Sequence, residues 1–306
     1  LEKRSEILYS YCGVKAHNAP IKSEDPLIRQ LGLFDSTMMM MGIVIGSGIF
    51  LTTGIMAQAV PSAPMILLAW LLGGLLVLAG ALTYAELGVS LPEAGGQYVY
   101  LREAYGSLFG FLFGWKMFLV NMTGSIAALG VAFAEYFGYF FPSFSTQKIA
   151  FSFRIHILGG HFSASLSRGK LVAVTIIILI SAINYVGVTF GKTVQNVLTV
   201  VKIGTILAFI VFGFAYAGGT SINLSVNPEA WSFARLMTGF GLAFISVFWA
   251  FDGWNNINYV AGEIKNPERN LKFALVMGTL GITLLYFFTN VVYFLALPFG
   301  EIKGVV

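Results

Sequence analysis

The chain has 306 residues, of which 57% are hydrophobic and only 10% are charged. A soluble domain carries about 25% charged residues, so this composition excludes an ordinary soluble protein and predicts a polytopic helical membrane protein embedded in a lipid bilayer. The formal net charge of +4 comes without basic patches interleaved with aromatic residues, and we therefore expect no nucleic-acid partner.

Seven apolar segments are long enough to cross a membrane, since a helical crossing needs about 20 mainly apolar residues. The sequence predicts these spans, numbered one to seven, at 36–59, 64–84, 107–141, 171–187, 193–217, 237–260 and 272–297. Residues 1–33 are polar and charged without a signal-peptide layout, which predicts an N-terminal tail.

Lys and Arg residues in the connections favour a cytoplasmic position for this tail. With the tail inside, that side of the membrane carries ten such residues and the opposite side carries six. Positive charge is enriched on the cytoplasmic side of membrane proteins. We therefore expect a multi-pass protein of the cell membrane, or of the inner membrane if the source is bacterial.

Two of the spans contain helix-breaking residues near their middle. Span one carries GIVIGSGIF at 42–50, and span six carries FWAFDGWNN at 248–256. Interrupted segments at matching positions of two repeats indicate a transporter's substrate site, and a separation of five spans makes the repeats inverted. The alternative is close helix packing, which the Gly42-x-x-x-Gly46 spacing suits. Asp252 favours the substrate site, because a carboxylate at the bilayer centre costs roughly 2.5–3.5 kcal/mol.

Four short stretches carry a resemblance to a known family. They are Gly46-Ser47-Gly48-Ile49-Phe50, Gly95-Gly96-Gln97-Tyr98, Gly253-Trp254-Asn255-Asn256 and Glu263-Ile264-Lys265-Asn266-Pro267-Glu268. Together they resemble the amino acid–polyamine–organocation (APC) transporters and, within them, the L-type amino acid transporter branch. The resemblance implies an all-α polytopic membrane protein with a LeuT-like fold of two inverted five-span repeats, in which helices 1 and 6 are broken.

The same resemblance implies a domain organisation. Residues 34–217 would form the first five-helix repeat, and residues 236–306 would begin the second repeat with spans six and seven. Family members have about twelve spans, so we expect this chain to lack spans eight to twelve.

An amino acid substrate is a zwitterion and needs partners of both signs. A helix N-terminus carries about +0.5 charge and its free N–H groups bind anions, so the half-helix after Gly46 offers the N–H groups of Ser47, Gly48 and Ile49 to a carboxylate. Glycine at 46 and 48 leaves the backbone open to the ligand. The resemblance implies that the Asp252 backbone and the carbonyls at the two preceding helix ends hold the ammonium; these ends comprise Val44, Ile45, Trp249, Ala250 and Phe251.

Three residues around the second interruption receive roles of their own in this site. The resemblance implies that Trp249 is an aromatic gate over the ligand, although an ordinary lipid-facing aromatic is the alternative. We expect Asn255, next to Gly253, to support the unwound turn by hydrogen bonding across the gap. The side chain of Asp252 could bind the ammonium or a proton, or it could cap the broken helix.

Lys202 lies about ten residues into span five. A lysine near the end of a span can extend its ammonium to the interface, and this is the alternative explanation for Lys202. Sodium-independent members of the resembled family carry a lysine in span five whose ammonium takes the place of Na⁺. The resemblance therefore implies that Lys202 substitutes for a cation and that transport does not require Na⁺.

Cys and His usage limits the other classes of function. Cys12 is the single cysteine and His17, His156 and His161 lie in polar segments, so we expect no metal, no cofactor and no enzyme activity. Animal L-type transporters pair with a glycoprotein through a cysteine in the connection between spans three and four. Here residues 142–170 contain no cysteine, so we expect no disulfide-linked heavy subunit.

The predicted function is a secondary active amino acid transporter, a permease or antiporter, that moves neutral L-amino acids by alternating access. A cationic amino acid or polyamine antiporter is the first alternative, and a non-transporting amino acid sensor of the same fold is the second. Exchange and proton symport are both left open by the sequence.

Overall fold

A computed structural model describes residues 27–157, 160–216 and 232–303. The predicted tail therefore lies mostly outside the described residues. Spatial contacts divide the chain into two compact units, the first comprising Leu1–Val99 and Lys192–Val306, and the second Tyr100–Gly191.

The first unit holds both interrupted segments. Its helices are α1 (Leu33–Val44), α2 (Gly48–Ala59), α3 (Ala63–Ser90), α8 (Val188–Tyr216), α9 (Phe233–Ala250), α10 (Pro267–Ala296) and the short α11 (Phe299–Ile302), with a 3₁₀ helix at Asn256–Glu263 between α9 and α10. Helix α10 packs against α1 and α3, and α9 packs against α2 and α3.

The second unit contains the elements between these helices. They are α4 (Gln97–Tyr105), α5 (Ser107–Lys116), a π-helical segment (Met117–Met122), α6 (Thr123–Phe140), a 3₁₀ turn (Pro142–Phe144), strands β1 (Ile149–Ile157) and β2 (Gly160–Ser167), and α7 (Arg168–Val186). Helices α6 and α7 pack against each other. The antiparallel strands pair in a hairpin with Ser152 opposite Ser165.

Six of the seven predicted spans are confirmed as apolar helices of membrane-spanning length, with the bent first span counted as one. Five helical stretches in the described part of the chain are long and apolar enough to cross a membrane, and α1 with α2 forms a sixth that is bent by 41°. Span six differs from its predicted form: its α-helix ends at Ala250, and its remaining part is the 3₁₀ helix. The connection 142–170, expected only to be polar, contains the hairpin.

The core of the first unit lies around the two interruptions. Met40, Ile49, Trp70, Phe251 and Tyr286 are all fully or almost fully buried there. Small residues bring the helices close together: a Cβ added at Gly278 of α10 would lie only 2.5 Å from the Met40 sulfur of α1. This packing places the end of α1 and the end of α9 on the same buried side of α10.

Candidate functional site

The first interruption separates α1 from α2 by three residues. Helix α1 ends at Val44, Ile45 follows in an extended conformation, and α2 begins at Gly48. Gly46 and Ser47 are exposed. In the described contacts, no backbone acceptor is paired with the N–H groups of Ser47, Gly48 and Ile49. The start of α2 therefore presents unpaired amides, the arrangement that binds anions.

The second interruption follows α9. The chain turns after Ala250, with the Asp252 N–H donating to the Trp249 carbonyl at 3.2 Å. Gly253 has a positive φ of +91°, a conformation that glycine adopts without strain. A Cβ at this position would also lie 2.5 Å from Cγ2 of Ile43. Only glycine fits here, and its contact with Ile43 brings the second interruption against the first.

The two interruptions also meet at Gly48. A Cβ added to Gly48 would lie 3.1 Å from Cα of Ala250 and 3.5 Å from Cζ3 of Trp249. By contrast, a Cβ at Gly46 would find only the Val44 carbonyl oxygen, at 3.9 Å. Gly48 is therefore a packing residue between α2 and α9, whereas Gly46 faces open space. Trp249, 57% exposed, has its ring beside the start of α2.

Tyr286 of α10 is a residue that the sequence analysis missed. Its buried hydroxyl lies 3.0 Å from the Val44 carbonyl oxygen and 3.4 Å from the Ala250 carbonyl oxygen. The hydroxyl has one proton to donate, so it serves the nearer oxygen best and the other more weakly. The phenol ring packs against Trp70 and Phe251, with both centroid separations 5.4 Å. Tyr286 thus joins the ends of both broken helices.

Lys202 of α8 donates to the same helix end. Its Nζ lies 3.1 Å from the Gly42 carbonyl oxygen and 3.1 Å from the Ile45 carbonyl oxygen. Helix α8 approaches α1 closely at this level, since a Cβ at Gly42 would overlap the Thr199 side chain. The ammonium therefore lies against the last turn of α1, one of the oxygen-rich sites that a broken helix creates.

These contacts change one expectation about the carbonyls. The carbonyls of Val44, Ile45, Trp249, Ala250 and Phe251 were expected to be free, but each faces a donor of the protein. A carbonyl oxygen has two lone pairs, so each can still accept one more hydrogen bond.

The turn after Asp252 is supported differently from the expectation. Asn255 contributes its backbone carbonyl, which accepts from both the N–H and the side-chain amide of Asn258 at 3.1 and 3.0 Å. The buried Asn258 was missed by the sequence analysis. The Asp252 side chain is exposed. In the described part of the chain, no three His, Cys, Asp or Glu residues are grouped to hold a metal ion.

Comparison with known proteins identifies the family. The family model for amino acid permeases matches residues 31–305, nearly all of the described chain. The chain belongs to the amino acid permease family. This family lies within the APC transporters, so the resemblance and the LeuT-like, helical membrane fold are confirmed. Its members are transporters and not enzymes.

Curated relatives include bacterial and animal transporters. The chain is 34% identical to the serine/threonine exchanger SteT of Bacillus subtilis over 87% of its own length and 55% of the relative. It is 32% identical to the human b(0,+)-type amino acid transporter 1 over 92% of its own length and 55% of the relative. It is 30% identical to the branched-chain amino acid permease BcaP of Bacillus subtilis over 94% of its own length and 59% of the relative. The chain thus spans about half the length of these relatives.

We expect Tyr286→Phe to destabilise the protein. The change removes the single hydroxyl proton and leaves the carbonyl oxygen of the buried Val44 without this donor, which costs about 1–3 kcal/mol. Thermal unfolding in detergent should show a lower midpoint than the wild type, with Tyr139→Phe, an exposed tyrosine, as the matched control. An unchanged midpoint for Tyr286→Phe would mean that the hydroxyl does not hold the two helix ends.

Proposed function

We propose that the full-length protein is a secondary active transporter of neutral L-amino acids that works by alternating access without Na⁺. The observation that carries the proposal is the meeting of two broken helices at Gly48 and Ala250, where unpaired amides lie beside carbonyl-bearing helix ends. A zwitterion needs this pair of opposite partial charges.

The substrate carboxylate would bind the N–H groups of Ser47, Gly48 and Ile49. The ammonium would use the second lone pairs of carbonyl oxygens at the ends of α1 and α9, supplied by Val44, Ile45, Trp249, Ala250 and Phe251, together with the Asp252 backbone. Trp249 would cover the ligand, because its largely exposed ring lies next to Gly48. Gly253 and Asn255 would keep the turn after Asp252 in place.

Two relatives support a neutral substrate. By name, SteT exchanges serine and threonine and BcaP carries branched-chain amino acids, and all of these side chains are uncharged. The exposed carboxylate of Asp252 favours the alternative of a cationic amino acid or polyamine antiporter, since it would pair with a second positive charge. A sensor of the same fold would bind an amino acid without moving it.

Topology and partners are proposed from the charges and cysteines of the connections. We place the protein in the cell membrane with its N-terminus in the cytoplasm, on the distribution of Lys and Arg between the connections. We propose that it works without a disulfide-linked heavy subunit, because the connection 142–170 carries no cysteine.

Uptake by proteoliposomes of the full-length protein tests the proposal. Labelled serine, threonine and leucine should accumulate, or exchange against the same unlabelled amino acid inside, and competition by lysine or putrescine should be weaker. Stronger competition by the cations would establish the alternative antiporter. Saturable binding without uptake would show that the protein is a sensor and not a transporter.

Gly46→Ala should weaken substrate binding by about tenfold or more, which corresponds to about 1.4 kcal/mol. The added methyl group meets nothing of the protein closer than 3.9 Å, so it projects into the space assigned to the ligand. Binding can be measured by scintillation proximity, and the thermal unfolding midpoint should stay at the wild-type value. Gly48→Ala is the comparison: its methyl group lies 3.1 Å from Ala250, so this variant should lose stability as well. Wild-type affinity in a folded Gly46→Ala protein would exclude the amides as the carboxylate site.

Uptake should be unchanged when Na⁺ is replaced by choline. The Lys202 ammonium lies between two carbonyl oxygens of α1, where a bound cation would otherwise be needed to satisfy them. Lys202→Met, which keeps the length of the side chain and removes its charge, should lower uptake at least about tenfold, the effect of losing about 1.4 kcal/mol of charge-assisted hydrogen bonding. Lys116→Met, on the last residue of α5 within predicted span three, is the control. A strict Na⁺ requirement in the wild type, or normal uptake by Lys202→Met, would contradict this assignment.

A further inference from the structure

A groove of about 640 Å³ lies in the second unit, between α6 and α7. Its lining comes from the last turns of α6, the 3₁₀ turn, the start of β1 and the first three turns of α7. Apart from Arg168 and Thr175 it is made of apolar side chains, including Phe133, Phe137, Phe144, Leu171, Val172 and Leu179. Its size is within the roughly 300–1,000 Å³ of ligand pockets.

The groove follows α7 from its first residue into the membrane-spanning part of the helix. The lining positions run from Arg168 to Leu179. At about 1.5 Å per residue, this stretch covers roughly 16 Å. Half of a hydrocarbon core of about 30 Å is about 15 Å. The groove therefore has the depth of one leaflet.

The mouth of the groove is positively charged. Arg168 is an exposed lining residue at the start of α7, and its backbone N–H donates to the Lys148 carbonyl oxygen, so the two cationic residues are neighbours. The Arg168 guanidinium donates to the Ser143 carbonyl at 3.3 Å. This uses one of its five N–H groups and leaves the others for a ligand. The connection 142–170 contains four Lys or Arg residues and no Asp or Glu.

Exposed aromatic residues at the end of α6 place the Arg168 end of the groove at the membrane interface. Tyr139 and Phe140 at the end of α6 are 83% and 74% exposed. Tyrosine and tryptophan side chains are enriched where helices leave the hydrocarbon region, which is the position of Tyr139. The cationic mouth is therefore at headgroup level, and the apolar part of the groove extends from it into the bilayer.

We propose that this groove binds one anionic phospholipid, with the phosphate on the Arg168 guanidinium and an acyl chain along the apolar lining. Guanidinium groups match phosphate oxygens in a bidentate geometry, so the Arg168 side chain is suited to a phosphate headgroup. A bare helix from the same chain or from a second copy would fill the apolar part but would leave the cationic mouth without a counter-charge. The lipid satisfies both parts, and this site is independent of the proposed transport activity.

Native mass spectrometry of the full-length protein in detergent, titrated with dioleoyl phosphatidylglycerol or dioleoyl phosphatidylcholine, tests the proposal. We expect one phosphatidylglycerol to be retained about fivefold better than phosphatidylcholine, the effect of one cation at an anionic headgroup. Arg168→Gln should abolish this preference. Lys170→Gln, two residues away with the same change in charge, should keep it, because Lys170 does not line the groove and its Nζ donates to the Ser165 carbonyl.

Two further arms separate the headgroup from the chain. Thr175→Trp places a large ring in the groove from an exposed position of α7 and should displace the lipid while the protein stays folded. Dihexanoyl phosphatidylglycerol and inorganic phosphate should compete poorly, because they lack the long chain. Equal retention of both lipids by the wild type, an equal loss of preference in Lys170→Gln, or full competition by inorganic phosphate would each overturn the proposal.

Discussion

The structure of the first unit depends on how backbone N–H and C=O groups are hydrogen-bonded where two helices break at membrane depth. Water is scarce there, so each exposed N–H or C=O needs a partner from the protein or from a ligand. The two kinds of group are treated differently in this structure. Carbonyls at the end of α1 accept from Lys202 and Tyr286, whereas the amides at the start of α2 have no partner in the described contacts. The interruption is therefore better prepared for an anionic group than for a cationic one.

The two interruptions depend on each other through residues with little or no side chain. Gly253 requires a positive φ and packs on Ile43 of α1, while Gly48 of α2 approaches the backbone of Ala250. Neither contact would exist with a larger residue. Tyr286 completes the arrangement from a third helix, because its hydroxyl reaches one carbonyl from each helix end. Hydrogen bonding and close packing thus fix the same geometry.

Sequence patterns located the spans and both breaks, since hydropathy and helix-breaking residues are local properties. They did not reveal Tyr286 or Asn258. A tyrosine in an apolar span or an asparagine in a polar turn is common, and the neighbouring sequence does not indicate which groups its side chain will bond. Nor did they reveal that Gly46 and Gly48 differ: both are glycines in one short stretch, yet only Gly48 faces a neighbouring helix. The hairpin in 142–170 was also missed, since its polar composition is equally compatible with an irregular connection. Partners set by tertiary contact cannot be predicted from local spacing.

Any movement of α1 would change the hydrogen bonds that the carbonyl oxygens at its end accept. Its last turn is held by side chains from α8 and α10, whereas its covalent continuation into α2 passes through an extended residue and a 41° bend. The helix end is therefore tied more firmly by side-chain hydrogen bonds than by helical continuity with α2. A shift of α1 relative to α2 would have to exchange the hydrogen bonds of Gly42, Val44 and Ile45, since these oxygens cannot remain unpaired at membrane depth. An ammonium group carries three donors and can supply the replacements, so the ammonium of the proposed amino acid substrate would also free this helix end.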